Sequence, residues 1–253
     1  MILSKTKSLQ YARLDSKKER DEQHLFLASG LKSVIDMIDY FIHEAILVAD
    51  DSVLDSFQGK QLNVLKAKTE QLKKISGMQS PPEIVAVFKI PHSSEGPFCL
   101  DKNELYLFLD GIQEPGNLGT LLRTAAWFGV KNVFLSPDCA DLYNRKTIQA
   151  SMGVIGRLNV YRTDLLNVIK DNGNLPVIGT LLDGEDIFNA LLPNHGILIM
   201  GNEGNGISQS LRELITLPVL IPPFGSGPFP DSLNVGVACG IALSVIRNPK
   251  SLN

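Results

Sequence analysis

Residues 196–215 read "GILIMGNEGNGISQSLRELI". The first five residues are apolar with no polar alternation, as expected of a strand covered on both faces in a parallel sheet. Gly201, Gly204 and Gly206 follow within six residues. Glycines so dense permit positive φ and let backbone approach backbone or ligand closely. "SQSLRELI" then takes up helical spacing. Strand, tight loop, helix is the unit of an α/β fold.

The same unit recurs on either side. "LYLFLD", "KNVFLS", "PVIGT" and "LPVLIP" read as further buried strands, and "LGTLLRTAAWFG", "TDLLNVIKD" and "LNVGVACGIALSVIR" as helices. Earlier, "HLFLAS", "EAILVA", "LNVL" and "EIVAVFKI" alternate with shorter helical stretches, which predicts a small α/β unit. Between them, residues 91–104 are rich in Pro, Ser, Gly and charge. We read residues 1–95 as a first domain, 96–103 as a linker and 104–253 as a second. The second is expected to be an open parallel sheet with helices on both faces, and such sheets bind ligands at the carboxyl ends of their strands.

Composition narrows the class. At 253 residues and 44% hydrophobic, the chain can bury one large core or two modest ones. No apolar run is long enough to span a bilayer, and "MILSKTKSLQ" lacks the apolar core of a signal peptide. Cys99, Cys139 and Cys239 are odd in number and far apart, which suits reduced thiols in a cytoplasmic protein. The four histidines are isolated, so no metal site is expected. Net charge is −3, yet residues 1–20 hold six cations against two acids and residues 60–74 hold five against one. Each cluster reads either as a solvated helix face or as a phosphate-contacting surface.

Three strand-end loops hold the candidate chemistry. In the first, Asn117 stands at the start of a helix, as an N-cap or as a functional amide. Leu118, Leu121, Leu122, Ala125 and Ala126 make the apolar stripe of that helix. Arg123 falls off the stripe, either lying over Trp127 or held at the loop mouth for a phosphate or a hydroxyl that must lose its proton. In the second, Glu203 is a turn carboxylate or a hydrogen-bond acceptor. Its glycine spacing is not that of a dinucleotide fingerprint, and no P-loop occurs in the chain. In the third, "IPPFGSGPFPDSLNV", Ser232 reads as the cap of the last helix and Asp231 as a carboxylate suited to its positive end. Asn234 is a poor helix former whose amide is costly if buried unpaired. Gly236, Ala238, Cys239 and Gly240 then allow either tight packing or a crossing chain.

Together these residues resemble the SpoU/TrmH family of RNA 2′-O-ribose methyltransferases, in the knotted SPOUT superfamily. The match runs through Asn117, Gly119, Arg123 and Ala125, then Gly201, Glu203 and Gly206, then Ile221, Pro222, Ser232, Leu233, Asn234 and Val235. The stretch "KTIQASMGVIGRLNV" is similar too. The resemblance implies a C-terminal trefoil knot that holds S-adenosylmethionine at Thr180, Gly201, Ile221 and Leu233. It implies methylation of a ribose 2′-OH in structured RNA, with rRNA favoured over tRNA. Arg123, Asn117, Glu203, Ser232 and Asn234 would form the catalytic set, in a homodimer where the first motif of one subunit faces the third motif of the other. Residues 1–95 resemble a small ribosomal-protein-like RNA-binding domain. Three departures stand out: about three extra residues between Pro222 and Ser232, Gln149 where relatives carry a basic residue, and no Glu before Gly30. The lengthened loop keeps a second expectation in play, a non-catalytic RNA-binding relative.

Overall fold

The computed structural model describes residues 1–91, 97–224 and 232–248. The chain divides into two units, Met1–His92 with Asp141–Arg157, and Ser93–Ala140 with Leu158–Asn253. The second domain is therefore not continuous from residue 104, because Asp141–Arg157 packs with the first unit.

The first unit contains α1 (Lys5–Arg13), α2 (Lys17–Gln23), β1 (Leu25–Ser29), α3 (Leu31–Met37) and β2 (His43–Val48). A 3-10 helix (Asp51–Phe57), β3 (Val64–Lys66), α4 (Thr69–Ser76) and β4 (Ile84–Lys89) complete its first segment. Its sheet runs β1-β4-β2-β3, antiparallel except for the β2–β3 pair. Alternate side chains face opposite layers. Leu25, Leu27, Ala45, Leu47, Val85 and Val87 meet Tyr11, Leu14, Leu72 and Ile75 of the α1 and α4 layer. Phe26, Ala28, Ile46, Val48 and Phe88 meet Val34, Met37, Ile38 and Phe57 on the other side.

The inserted segment forms β-free helical structure, so β5 (Leu105–Leu109), α5 (Pro115–Trp127) and β6 (Asn132–Leu135) precede it in the other unit. The insert itself is α6 (Arg145–Ser151) and a short 3-10 helix, Val154–Arg157. Ile148 and Ile155 are buried in the second of the two cores, and the Tyr143 ring lies 4.6 Å from that of Phe26. A charge pair fixes its start: the Arg20 side chain is 3% exposed, and its Nη2 donates to Asp141 Oδ2 at 2.5 Å. Asp141→Ala leaves a buried guanidinium without its counter-charge, and unpaired buried charges cost about 3 kcal/mol or more. Urea denaturation should register that loss as a lower midpoint.

The second unit continues with β7 (Asn159–Arg162), α7 (Leu165–Asp171), β8 (Val177–Asp186) and β9 (Gly196–Met200). It ends with α8 (Gln209–Arg212), β10 (Leu217–Leu220) and α9 (Val235–Ile246). The order β10-β8-β9-β5-β6-β7 is parallel throughout. β5 and β9 are central and buried at every residue, as their apolar runs require. From β5 the chain winds outward one way to β7, then returns to build β8, β9 and β10 on the other side. The switch point of such a sheet lies between β5 and β9, where loops splay and ligands bind. β7 and α6 carry no strong apolar period. The β7 residues Asn159–Arg162 are exposed or half-buried, so neither element stands out in the sequence. No helix among the described residues is long and apolar enough to cross a membrane.

Candidate functional site

The loops after β5 and β9 are neighbours, and short polar bonds lock them together. Asp110 is buried, and its Oδ2 accepts from the backbone N–H of Ser208 at 2.7 Å. The Asn202 amide donates to the Gly111 carbonyl at 2.7 Å. Its oxygen accepts from the backbone of Gly204 at 2.8 Å and of Asn205 at 3.1 Å. Asn202 and Gly206 also exchange both backbone bonds, at 3.0 and 2.8 Å. Asparagine closing a turn on its own backbone is a known local preference, and Asn-x-Gly after a buried strand is the signal that could have singled out Asn202.

That fold places Glu203 at the loop tip, against the first turn of α5. The cap of α5 is not Asn117, as the sequence suggests, but Glu114, whose carboxylate accepts from the Asn117 backbone N–H at 3.0 Å. Pro115 occupies the first helical turn, where its missing N–H costs nothing. Asn117 sits inside that turn with its amide free to act. Its Nδ2 donates to Glu203 Oε1 in a short bond, and its Oδ1 accepts from Asn234 Nδ2 at 3.0 Å.

Asn234 is in turn the cap of α9. Its Oδ1 accepts from the backbone of Gly236 at 3.0 Å and of Val237 at 3.4 Å. The expected cap, Ser232, is exposed two residues outside the helix and has no hydrogen bond among the described residues. The reason is stereochemical: only the residue next to the first helical N–H groups can reach them. Asp231 and the extra residues between Pro222 and Ser232 lie in 225–231, outside the described residues. The small residues of α9 serve packing of helix on helix. A Cβ at Gly236 would come within 2.8 Å of the Thr120 methyl of α5.

One hydrogen-bonded row, Glu203–Asn117–Asn234, thus joins all three loops within a single chain. The asparagine pair of the first and third motifs closes without a second subunit. Arg123 is not in the row. It is exposed on α5, with no hydrogen bond or ion pair among the described residues, and Trp127 one turn on is 85% exposed. The Arg123 side chain is thus a free cation rather than a packing group.

Of the residues expected to hold a cofactor, Thr180 on β8 and Gly201 after β9 lie on neighbouring strands. β10, β8 and β9 are adjacent in the sheet. Thr180 Oγ1 lies 3.9 Å from Met200 Sδ, Gly201 follows directly on Met200, and Ile221 follows the last residue of β10. Leu233 is 47% exposed just before α9.

Sequence reasoning missed the support beneath the first loop. Arg162, on the edge strand β7, donates to the carbonyls of Ser136, Pro137, Cys139 and Ala140 at 2.6–3.1 Å. The loop it gathers presents Ser136 Oγ to the Gly111 N–H at 2.8 Å and Cys139 Sγ to the Ile112 N–H at 3.3 Å. No spacing rule announces a guanidinium that closes four carbonyls. Burial pushes the Cys139 thiol up, and pushes that of Cys239 up to about 12. Cys99 is exposed. Thiolate is the reactive form, so a disulfide reagent at neutral pH should titrate one thiol fast in native protein and three after unfolding.

A parallel sheet with its polar row at the switch point defines an α/β enzyme-type ligand site at the carboxyl strand ends. The chain belongs to the SpoU rRNA Methylase family, whose model matches residues 104–244. The MRM3-like substrate binding domain matches residues 6–86. The chain is 29% identical to the 23S rRNA (guanosine(2553)-2′-O)-methyltransferase RlmP of Bacillus subtilis, over 94% of each chain. Among solved structures it resembles a TrmH-family protein from Porphyromonas gingivalis. That pair is 34% identical with a TM-score of 0.85, covering 98% of this chain and 99% of the other. It also resembles an AdoMet-bound rRNA methyltransferase from Sinorhizobium meliloti, at 28% identity and TM-score 0.81, over 97% and 96%.

Proposed function

We propose that the protein transfers a methyl group from S-adenosylmethionine to a ribose 2′-OH in rRNA. Family membership and the Glu203–Asn117–Asn234 row, with Arg123 exposed on the same helix as Asn117, carry this reading. The residues at Thr180, Gly201, Ile221 and Leu233 would hold the cofactor, which supplies an electrophilic methyl on a sulfonium. The protein's own task is to bring the 2′-oxygen in line at about 3–3.5 Å and draw off its proton. Arg123 would orient and polarise that oxygen as a charged donor while the proton passes to a neighbouring RNA phosphate or to water, since a guanidinium stays protonated in proteins. With an RNA phosphate as its counter-anion, it orients and polarises the hydroxyl. Asn117, Glu203 and Asn234 fix the first turn of α5, the helix that carries Arg123 further along, and Ser232 is free to meet the ribose.

The same reading includes a homodimer, a C-terminal trefoil knot and a cytoplasmic location. The homodimer is supported by the exposed Trp127 and Val237 on α5 and α9, which a second copy would cover. Radiolabelled cofactor incubated with large-subunit rRNA, followed by mapping of 2′-O-methyl positions, tests the activity. Transfer to a single nucleotide is expected. A folded protein that binds cofactor and RNA without transfer would instead favour the non-catalytic reading.

Asn117→Ala removes both side-chain bonds of the row and leaves the Glu203 carboxylate and the Asn234 amide unpaired. Loss of a charged hydrogen-bond partner costs about 1.5–3 kcal/mol. Turnover should fall about 10- to 100-fold, with thermal stability lowered by a few degrees; steady-state kinetics and calorimetric melting check both.

A further inference from the structure

The two basic clusters of the sequence look alike in composition, but the fold sorts them. Lys7 pairs with Glu44, Lys17 with Asp21, Lys18 with Glu22 and Arg20 with Asp141. Lys60 pairs with Asp39 and Lys66 with Asp51. Within these two clusters, the cations left without an ion-pair partner among the described residues are Lys5, Arg13, Lys68, Lys73 and Lys74. All five are exposed, and all lie on α1, on α4 or at the residue that starts α4. These two helices pack on each other and form one outer layer of the first unit. Their only acid is Glu70.

The opposite layer is mixed: α3 and the 3-10 helix carry Asp36, Asp51 and Asp55 with Lys32, Arg157 pairs with Asp36 and Lys66 with Asp51, and α6 on the same core adds Arg145 and Lys146. A chain of net charge −3 therefore gathers five cations without ion-pair partners among the described residues on one layer of this unit, while the other layer mixes both signs. Even solvation of surface charge does not call for such sorting, but a polyanionic partner does.

Resting on the functional reading above, we propose that the α1 and α4 layer is the surface that grips the RNA sugar–phosphate backbone, with α3 turned away from it. Lysines on helix exteriors contact phosphates as point charges, so the grip is independent of sequence and sets register rather than target choice.

The test is RNA binding as a function of salt. Each phosphate contact made by a cation steepens the fall of log K with log salt by about 0.9 in a duplex and about 0.7 in a single strand. The intact protein would be titrated with a large-subunit rRNA transcript and with a scrambled transcript of equal length. Lys73→Gln/Lys74→Gln should flatten the slope by about 1 to 2 for both RNAs. Affinity should fall about tenfold per lost contact at 0.1 M salt, judged against a 1 M reference. Cofactor binding, read by calorimetry, should stay at the wild-type value and report an intact fold. Lys32→Gln should leave the slope unchanged. If the double variant keeps the wild-type slope while the wild type methylates RNA, the surface assignment falls and the enzymatic reading stands. The assignment falls equally if Lys32→Gln flattens the slope as much. A wild-type protein that binds no RNA at any salt overturns both.

Discussion

Gly201→Ala is expected to lower methyl transfer by more than about a thousandfold and to weaken cofactor binding by about a hundredfold or more. A Cβ at this position would lie 2.3 Å from the Gly206 carbonyl carbon, 2.4 Å from the Ile207 nitrogen and 2.5 Å from the Gly206 oxygen. All three are backbone atoms, so no side chain can swing aside. The loop must open, and the paired bonds between Asn202 and Gly206 at 3.0 and 2.8 Å break first. Asn202 then releases the Gly111 carbonyl, and Glu203 loses its place against Asn117. The cofactor-side and catalytic halves of the site therefore fail together. Gly204→Ala is the matched control. Its Cβ would meet only the Asn202 Oδ1, at 3.4 Å, a contact that small shifts relieve. It should keep most of the activity. Calorimetry with S-adenosylmethionine and circular dichroism separate site damage from unfolding. A Gly201→Ala protein binding cofactor within a few-fold of wild type would show that the loop does not hold it.

The parallel sheet was legible because its central strands are pure apolar runs. "LYLFL" and "GILIM" can be buried only if covered on both faces. What the sequence hid is tertiary in origin. The segment Asp141–Arg157 reads as part of the second domain, yet a single acid, Asp141, finds Arg20 far back in the chain and carries its helix with it. Capping was legible in kind and misplaced in position. Ser232 and Asn117 are good cap residues, but Asn234 and Glu114 lie where the helices start. That shift has a chemical consequence. A capping Asn117 would spend its side-chain oxygen on its own helix, whereas an Asn117 in the first turn has both amide atoms to spend on Glu203 and Asn234. The motif residues were readable one by one as turn and cap formers, and only their order along the chain pointed to a shared site. Arg162 and Asn202 were out of reach because their partners are backbone groups, which every sequence has.

Arg123→Ala is expected to cut turnover about a thousandfold while leaving the fold and cofactor affinity close to wild type. The structural half of this follows from α5. Its burial is carried by Leu118, Leu121, Leu122 and Ala125, whereas Arg123 is exposed and holds no partner among the described residues. Alanine is the better helix former, so stability should move by no more than about 0.5 kcal/mol. The kinetic half follows from the chemistry. An alcohol at neutral pH is a weak nucleophile, and a group that handles its proton contributes about 10²–10⁴ in rate. Arg123→Lys separates two roles for the guanidinium. Lysine keeps the charge but not the planar fork that spans a phosphate and a hydroxyl. If orientation by the fork matters, the lysine variant should remain at least about tenfold below wild type in turnover with an unchanged KM for cofactor. If charge alone matters, it should recover. A wild-type rate that depends less steeply on pH than that of the alanine variant is also expected, because the guanidinium polarises the hydroxyl so that its proton can pass to RNA phosphate or water, whereas without that charge the proton leaves only to hydroxide. Single-turnover rates across pH 6–9 read this directly, and an alanine variant within about tenfold of wild type throughout would remove Arg123 from the mechanism.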